Sequence, residues 1–307
     1  MDLFIKDLTV VDYAYASKER GIIGNSLNTE IIFHGSTDHE GVVYDFSLAK
    51  KAAKKIIDAG PDHALVVPKG HLKRYIDEGG QERAKFDWIS DVGDYFYDAP
   101  LQAFYEVDSD VVTVKAIEKQ LEKDIMEKMP PNIGKITIRL SEESFEESRP
   151  RYHYTHGLKT HYGNCQRLFH GHQNTIRIWT DGHQDLPSER LFSTIFKDVH
   201  LAILENIVHV ADHTGILAAT PEAIRDLLQD YLGTNLRIPY TIAIQYDGNQ
   251  GRFYGILPKN TVSLLTRETT VEYIAQHVAE TLKEAAPSKT VTAQAFEGIG
   301  KGAIVTL

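Results

Sequence analysis

The chain has 307 residues, 33 Lys and Arg against 43 Asp and Glu, a formal charge of −10, one cysteine, and ordinary globular proportions of 42% hydrophobic and 25% charged residues. The acidic surplus excludes a broad nucleic-acid surface, and the lone cysteine excludes an intrachain disulfide framework. No apolar run of about 18 residues and no basic-then-apolar start marks a membrane span or a secretory leader, so a cytoplasmic protein with a small-molecule partner and no membrane is expected.

In chain order, Leu3–Ala16 reads as a strand and Asn28–His34 as its hairpin partner across a Gly- and Asn-bearing loop. Ser47 N-caps a helix over residues 47–59, with apolar residues at 48, 49, 52, 53, 56 and 57; Gly60-Pro61 ends it and Asp62-His63 follow at once. Residues 65–110 mix aromatic and acidic side chains between breaks at Gly79-Gly80 and Pro100, and no element is assigned there. Val111–Met129 carries Ala116, Ile117, Leu121, Ile125 and Met129 on one side of a helix stopped by Pro130-Pro131, and a strand covers Lys135–Leu140.

The order then recurs, with strands over 151–158 and 173–180, a helix over 188–208, Asp212-His213, a helix over 270–285, and strands over 290–296 and 302–307. Residue matches accompany it: Asn28-Thr29 with Asn174-Thr175, Asp62-His63 with Asp212-His213, and residues 136–142 with 291–297. An α+β chain of two tandem ββααββ units, residues 1–145 and 146–307, is the economical description. The second unit also holds a helix over residues 220–232 and a hairpin, 240–246 and 251–257, turned at Asp247-Gly248.

Nine of the fourteen histidines lie between His153 and His213, five of them with Cys165 inside Tyr152–Trp179. His170 and His172 flank Gly171 at the start of a strand, where a two-residue step puts both on one face, and His156 on the preceding strand can complete the set. Three neutral imidazoles with one open position are a catalytic zinc arrangement, whereas a closed structural site would want four ligands and usually several thiolates. His153 and His161 read as supporting or surface residues, and the two Asp-His pairs read either as helix-end caps or as acid–base groups.

Taken together, Tyr152-His-Tyr-Thr-His156, Cys165, His170-Gly-His172, Gly41-Val-Val-Tyr-Asp-Phe46, the Asp-His pairs and Gln294-Ala-Phe-Glu297 resemble the 6-pyruvoyl-tetrahydropterin synthase and 6-carboxytetrahydropterin synthase family of the T-fold. The first unit has Gly24-Asn25-Ser26 where the second has His-Gly-His, and Tyr15 or Ala16 at the strand histidine, so only the second would carry metal. The resemblance implies antiparallel sheets with helices on one face and a homo-oligomer. It assigns zinc to His156, His170 and His172, the proton-abstracting thiol to Cys165, and its acid–base partner to Asp62-His63 or Asp212-His213. It makes Glu297 the anchor of the pterin 2-amino and ring N3 edge. The implied substrate is 7,8-dihydroneopterin triphosphate, with Lys159, Arg167 and Arg177 as candidates for its charged tail. A metal- and pterin-binding module without turnover, or a related T-fold enzyme on another purine- or pterin-like substrate, is the alternative.

Overall fold

Alternating buried and exposed side chains set most of the strands, and N-capping side chains set the helices. A computed structural model describes residues 1–144, 149–229 and 240–307, so the expected unit boundary at 145/146 and the end of the helix at 230–232 lie outside the described residues. The first half runs β1 (Asp2–Ile5), β2 (Val10–Ser17), β3 (Gly21–Gly35), α1 (Phe46–Ala59), β4 (Leu65–Pro68), β5 (Leu72–Ile76), β6 (Glu82–Ser90), β7 (Gly93–Pro100), β8 (Phe104–Val107), α2 (Val114–Met126) and β9 (Ile133–Ser141). The second runs β10 (Tyr152–His156), β11 (His170–Asn174), β12 (Ile176–Thr180), β13 (His183–Gln184), α3 (Leu186–Ile195), β14 (Val199–Ile203), β15 (Ile207–Asp212) and β16 (Gly215–Ala218). It continues through α4 (Pro221–Gln229), β17 (Thr241–Gly248), β18 (Gly251–Pro258), β19 (Val262–Leu265), α5 (Val271–Ala285), β20 (Val291–Phe296) and β21 (Gly302–Thr306).

Four sheets result. One has the order β1-β3-β2-β4-β8, with β9 also on β3; two smaller ones are β11-β10-β14-β19 and β13-β12-β20-β21. The seven-stranded fourth, β16-β15-β17-β18-β7-β6-β5, joins the two halves through the β18–β7 pair. Most pairs are antiparallel, but β4 lies parallel to β2 and β8, and β14 parallel to β10 and β19. Helices α1 and α2 pack against the first sheet and α3 and α5 against the two smaller ones, whereas the seven-stranded sheet, together with α4, packs against residues of β2, β4, β14 and β19. Thus Val66 packs among α1 and α2 residues, while its neighbours Leu65 and Val67 face Phe86, Tyr97 and Phe169.

Several boundaries differ from expectation. β3 begins at Gly21, so the supposed loop through Asn25 is strand and the hairpin turns at residues 18–20. Asp45, not Ser47, caps α1, its Oδ1 accepting the Leu48 N–H at 2.9 Å. The helix expected over 188–208 stops at Ile195, and the following Val199–Ile203 and Ile207–Asp212 are strands. Residues 65–110, left without elements, hold β4 to β8.

The β2–β3 and β10–β11 hairpins meet back to back through glycine. A Cβ on Gly24 would stand 2.0 Å from the Tyr154 carbonyl oxygen, and one on Gly171 2.7 Å from Gly24 Cα. Arg20 clamps the same junction, with Nε 3.0 Å and Nη2 2.6 Å from the two carboxylate oxygens of Asp198.

Candidate metal centre and acid–base site

β10 and β11 pair His156 with His170 and Tyr154 with His172, which brings the three imidazoles to one face. Their rings are 0%, 0% and 1% exposed. His156 Nδ1 lies 2.8 Å from the Thr269 carbonyl and His170 Nδ1 2.9 Å from the Arg167 carbonyl. A carbonyl only accepts, so both rings carry hydrogen on Nδ1 and present an Nε2 lone pair. His172 Nδ1 stands 3.1 Å from Asp12 Oδ1, an ion-pair distance whose oblique approach falls short of an in-line hydrogen bond.

The Nε2 atoms converge. His156 Nε2 and His172 Nε2 are 3.2 Å apart, the ligand atoms of all three lie within 4.8 Å of one another, and buried His170 Nε2 has no hydrogen-bond partner among the described residues. Burial, reinforced by neighbouring imidazoles, pushes His156 and His170 well below the ordinary histidine range, so they stay neutral. Facing lone pairs in an apolar interior are unfavourable without a cation, and tetrahedral bonds of about 2.0–2.1 Å would set the nitrogens roughly 3.3–3.4 Å apart. The three histidines therefore fit a metal ion.

A short turn, Asn164–Gln166, presents partly buried Cys165 beside this cluster, and His63, Cys165 and His170 form a second group with ligand atoms within 4.8 Å. His63 comes from the first half. Its backbone is left-handed, at φ 55°, and donates its N–H to the Asp12 carbonyl at 2.6 Å. Its Nδ1 lies 2.8 Å from Asp62 Oδ2, while Asp62 Oδ1 accepts the Asp12 N–H at 3.0 Å, so β2 holds the pair in place. Burial alone would lower the His63 pKa, but hydrogen bonds and charge from Asp62 and Cys165 outweigh it and push the ring up to about 10.

The other expected pair is not brought to this cluster. Asp212 accepts the Thr214 N–H at 2.7 Å in the turn after β15, and His213 is exposed there. The residue placed like His63 is Asp198, which is also left-handed, at φ 59°, and donates its N–H to the His153 carbonyl at 2.7 Å. Likewise Tyr15 opposes Ile23 as His156 opposes His170, so Ile23-Gly24-Asn25 is the counterpart of His-Gly-His, one residue before the expected triplet.

Glu297 follows β20, half-buried, and donates its N–H to the Lys301 carbonyl at 3.1 Å. Its neighbours Phe296 and Gly298 line a small cavity of about 130 Å³ with Asn174, Thr175 and Arg177, and Arg177 stacks 5.7 Å from the Phe296 ring. Of the expected tail-binding cations, Arg167 lies beside Cys165 while Arg177 is on this Glu297 side. His153 Nδ1 donates to the Gly24 carbonyl at 2.8 Å, and His161 is exposed. Sequence reasoning missed Asp12, which is 2% exposed and bonded to Ser26 Oγ at 2.5 Å and Lys301 Nζ at 3.2 Å. Burial alone would raise its pKa; His172, Lys301 and Ser26 reverse that and hold the carboxyl well below the usual range. Its one sequence signal is that it is the only charge in Val10–Ser17.

Fold and site together define an α+β protein whose buried three-imidazole cluster stands against a thiol–imidazole–carboxylate chain. The sequence profile of the family described as 6-pyruvoyl tetrahydropterin synthase matches residues 147–306, just over half of the chain. The chain belongs to this family. A curated relative, the putative 6-carboxy-5,6,7,8-tetrahydropterin synthase of Pyrococcus horikoshii, is 23% identical over 141 residues, covering 43% of this chain and 76% of the relative. The solved 6-pyruvoyltetrahydropterin synthase of Plasmodium vivax is 16% identical over 48% of this chain and 93% of its own, with a TM-score of 0.37. That of Plasmodium falciparum is 19% identical over 46% and 91%, with a TM-score of 0.36. Among the described residues no helix is long and apolar enough to cross a membrane.

Proposed function

We propose that the chain is a zinc-dependent lyase of the tetrahydropterin synthase type acting on 7,8-dihydroneopterin triphosphate, in pterin or queuosine-precursor biosynthesis. Family membership supports the reaction type, and the name of the Pyrococcus relative favours the 6-carboxy product over the pyruvoyl one. The observation that carries the reading is the placement of His63 and Cys165 directly against His170 of the three-imidazole cluster. Two units, 1–145 and 146–307, a homo-oligomer and a cytoplasmic location belong to the same proposal.

His156, His170 and His172 would hold the zinc, which when bound supplies Lewis-acid polarisation of the substrate side-chain oxygens. Cys165 Sγ takes the proton from the carbon beside those oxygens. His63, charged near neutrality and oriented by Asp62, stabilises negative charge on the sulfur and returns a proton to the product. Glu297 accepts the paired N–H groups of the pterin edge, and an analogue lacking them would strand its carboxylate.

The test is zinc content per chain together with consumption of 7,8-dihydroneopterin triphosphate. Wild type should hold zinc and consume substrate, His170→Ala should lose both, and Cys165→Ala should keep zinc and lose turnover. Zinc uptake by wild type without consumption would overturn the lyase reading and leave a metal- and pterin-binding module.

A further inference from the structure

Cys165 stands on the loop between β10 and β11, whose outer part is open to solvent, Tyr162 being 88% exposed. A reacting group on a loop needs support from rigid neighbours to hold its geometry. That support comes from the far end of the β17–β18 hairpin, where Asn249 and Gln250 make the turn between Gly248 and Gly251. Gln250 uses three of its polar groups on the loop. Its N–H donates to Gln166 Oε1 at 2.8 Å, its Nε2 donates to Asn164 Oδ1 at 2.7 Å, and its Oε1 accepts from Arg167 Nε at 3.0 Å. One residue therefore grips the loop on both sides of the thiol.

The amide orientations are fixed by their surroundings. A guanidinium only donates, so the Gln250 atom facing Arg167 is oxygen and its nitrogen faces Asn164 Oδ1. Asn164 Nδ2 is then left to donate to the Asp58 carbonyl at 3.2 Å, which ties the turn to the end of α1. Gln166 is 0% exposed, and while its Oε1 takes the Gln250 N–H, its Nε2 donates to the Gly163 carbonyl at 2.9 Å. Tyr246 on β17 donates its hydroxyl to the Gln166 carbonyl at 2.9 Å, and a Cβ on Gly248 would collide with Gln166 Oε1.

The same bonds reach the acid–base pair. Arg167 Nη1 lies 3.4 Å from the carbonyl oxygens of both Asp62 and His63, and the Gln250 carbonyl accepts Gln81 Nε2 at 2.7 Å from the start of β6. The thiol turn, the Asp62-His63 corner and the first half's share of the seven-stranded sheet thus meet at one side chain.

We infer that Gln250 is a positioning residue: the β17–β18 turn sets where the Cys165 thiol stands relative to His63 and His170. The seating of the turn is independent of any reaction, whereas its effect on turnover rests on the lyase reading.

Gln250→Met keeps the side-chain length and removes both side-chain hydrogen bonds. Hydrogen exchange read by mass spectrometry on the full chain should show protection across residues 158–167 falling by about tenfold or more, because the Leu158 and Arg167 amides bond within this turn, while β17 and β18 keep theirs. Zinc per chain should stay as in wild type. With 7,8-dihydroneopterin triphosphate, kcat should fall about 10–100-fold and KM should stay within about twofold, as expected when a reacting group is displaced by about 1 Å. Arg252→Met on the same hairpin removes only an exposed pair with Asp247 and should match wild type in every readout. Unchanged protection at the turn, or protection lost throughout β17 and β18, would overturn the seating. A kcat equal to that of wild type, or one that falls only with loss of zinc, would overturn the catalytic consequence. A turn loosened as described in a protein whose wild type consumes no substrate would sink the lyase reading and keep the seating. Full turnover by Gln250→Met with its turn still protected would do the reverse.

Discussion

Replacing Asp12 tests whether the first half of the chain tunes the imidazole cluster in the second. The Asp12 carboxylate is 2% exposed, lies 3.1 Å from His172 Nδ1, and is itself held by Ser26 and Lys301. A carboxylate behind a metal-binding imidazole fixes its tautomer and raises its basicity, and losing one typically weakens metal binding about 10–100-fold, roughly 1.4–2.7 kcal/mol. Asp12→Asn keeps an acceptor for Ser26 and a polar side chain beside the ring and loses only the charge, so it belongs near the tenfold end. Asp12→Ala removes the acceptor as well and leaves Ser26 and Lys301 without their partner, so about a hundredfold is expected. Competition with a chromophoric chelator at fixed pH reads the affinity, with circular dichroism confirming the fold. A folded Asp12→Ala protein that holds zinc as tightly as wild type would refute the assignment.

Other consequences are as direct. His63→Gln should lower turnover by about 10²–10⁴-fold with zinc content unchanged, since His63 serves Cys165 and lies outside the three-imidazole cluster; loss of zinc together with turnover would make it a ligand instead. His200 is buried and drawn down by burial from 6.5 to about 3, so the folded protein keeps it neutral while the unfolded chain protonates it below pH 6.5. Stability from this group is therefore present above pH 6.5 and lost progressively towards pH 3, at about 1.4 kcal/mol per pH unit. Urea midpoints between pH 6 and pH 4 should fall less steeply for His200→Gln by about one proton, and an unchanged slope would show that His200 is charged when folded. Gly24→Ala should destabilise the fold by about 3 kcal/mol, because its Cβ would strike the Tyr154 carbonyl oxygen; a melting temperature equal to that of wild type would contradict the back-to-back packing.

The imidazole cluster was legible because His-Gly-His on a strand has a fixed geometric meaning, and His156 on the preceding strand of the same hairpin could complete the set. The helix expected over residues 270–285 is observed as α5, Val271–Ala285, with Thr270 as its N-cap. Residues 188–208 misled because the continuous apolar run at Leu201–Leu204 carries no period, and a buried strand cannot be told from a helix on that basis. Asp212-His213 matched Asp62-His63 in letters only. The shared property of His63 and Asp198 is a left-handed backbone where one strand is bolted to the next, which dissimilar side chains satisfy. Asp12 meets His172 across 160 positions of sequence, and no local pattern encodes such a contact.

Two overlapping groups share His170, one completed by His156 and His172 and the other by His63 and Cys165, and the proposed chemistry requires metal in the first with a free thiol in the second. X-ray absorption at the zinc edge of the loaded protein separates them. Nitrogen scatterers at about 2.0–2.1 Å with no sulfur are predicted, whereas a sulfur shell at about 2.3 Å would make Cys165 a ligand and contradict its role as the base.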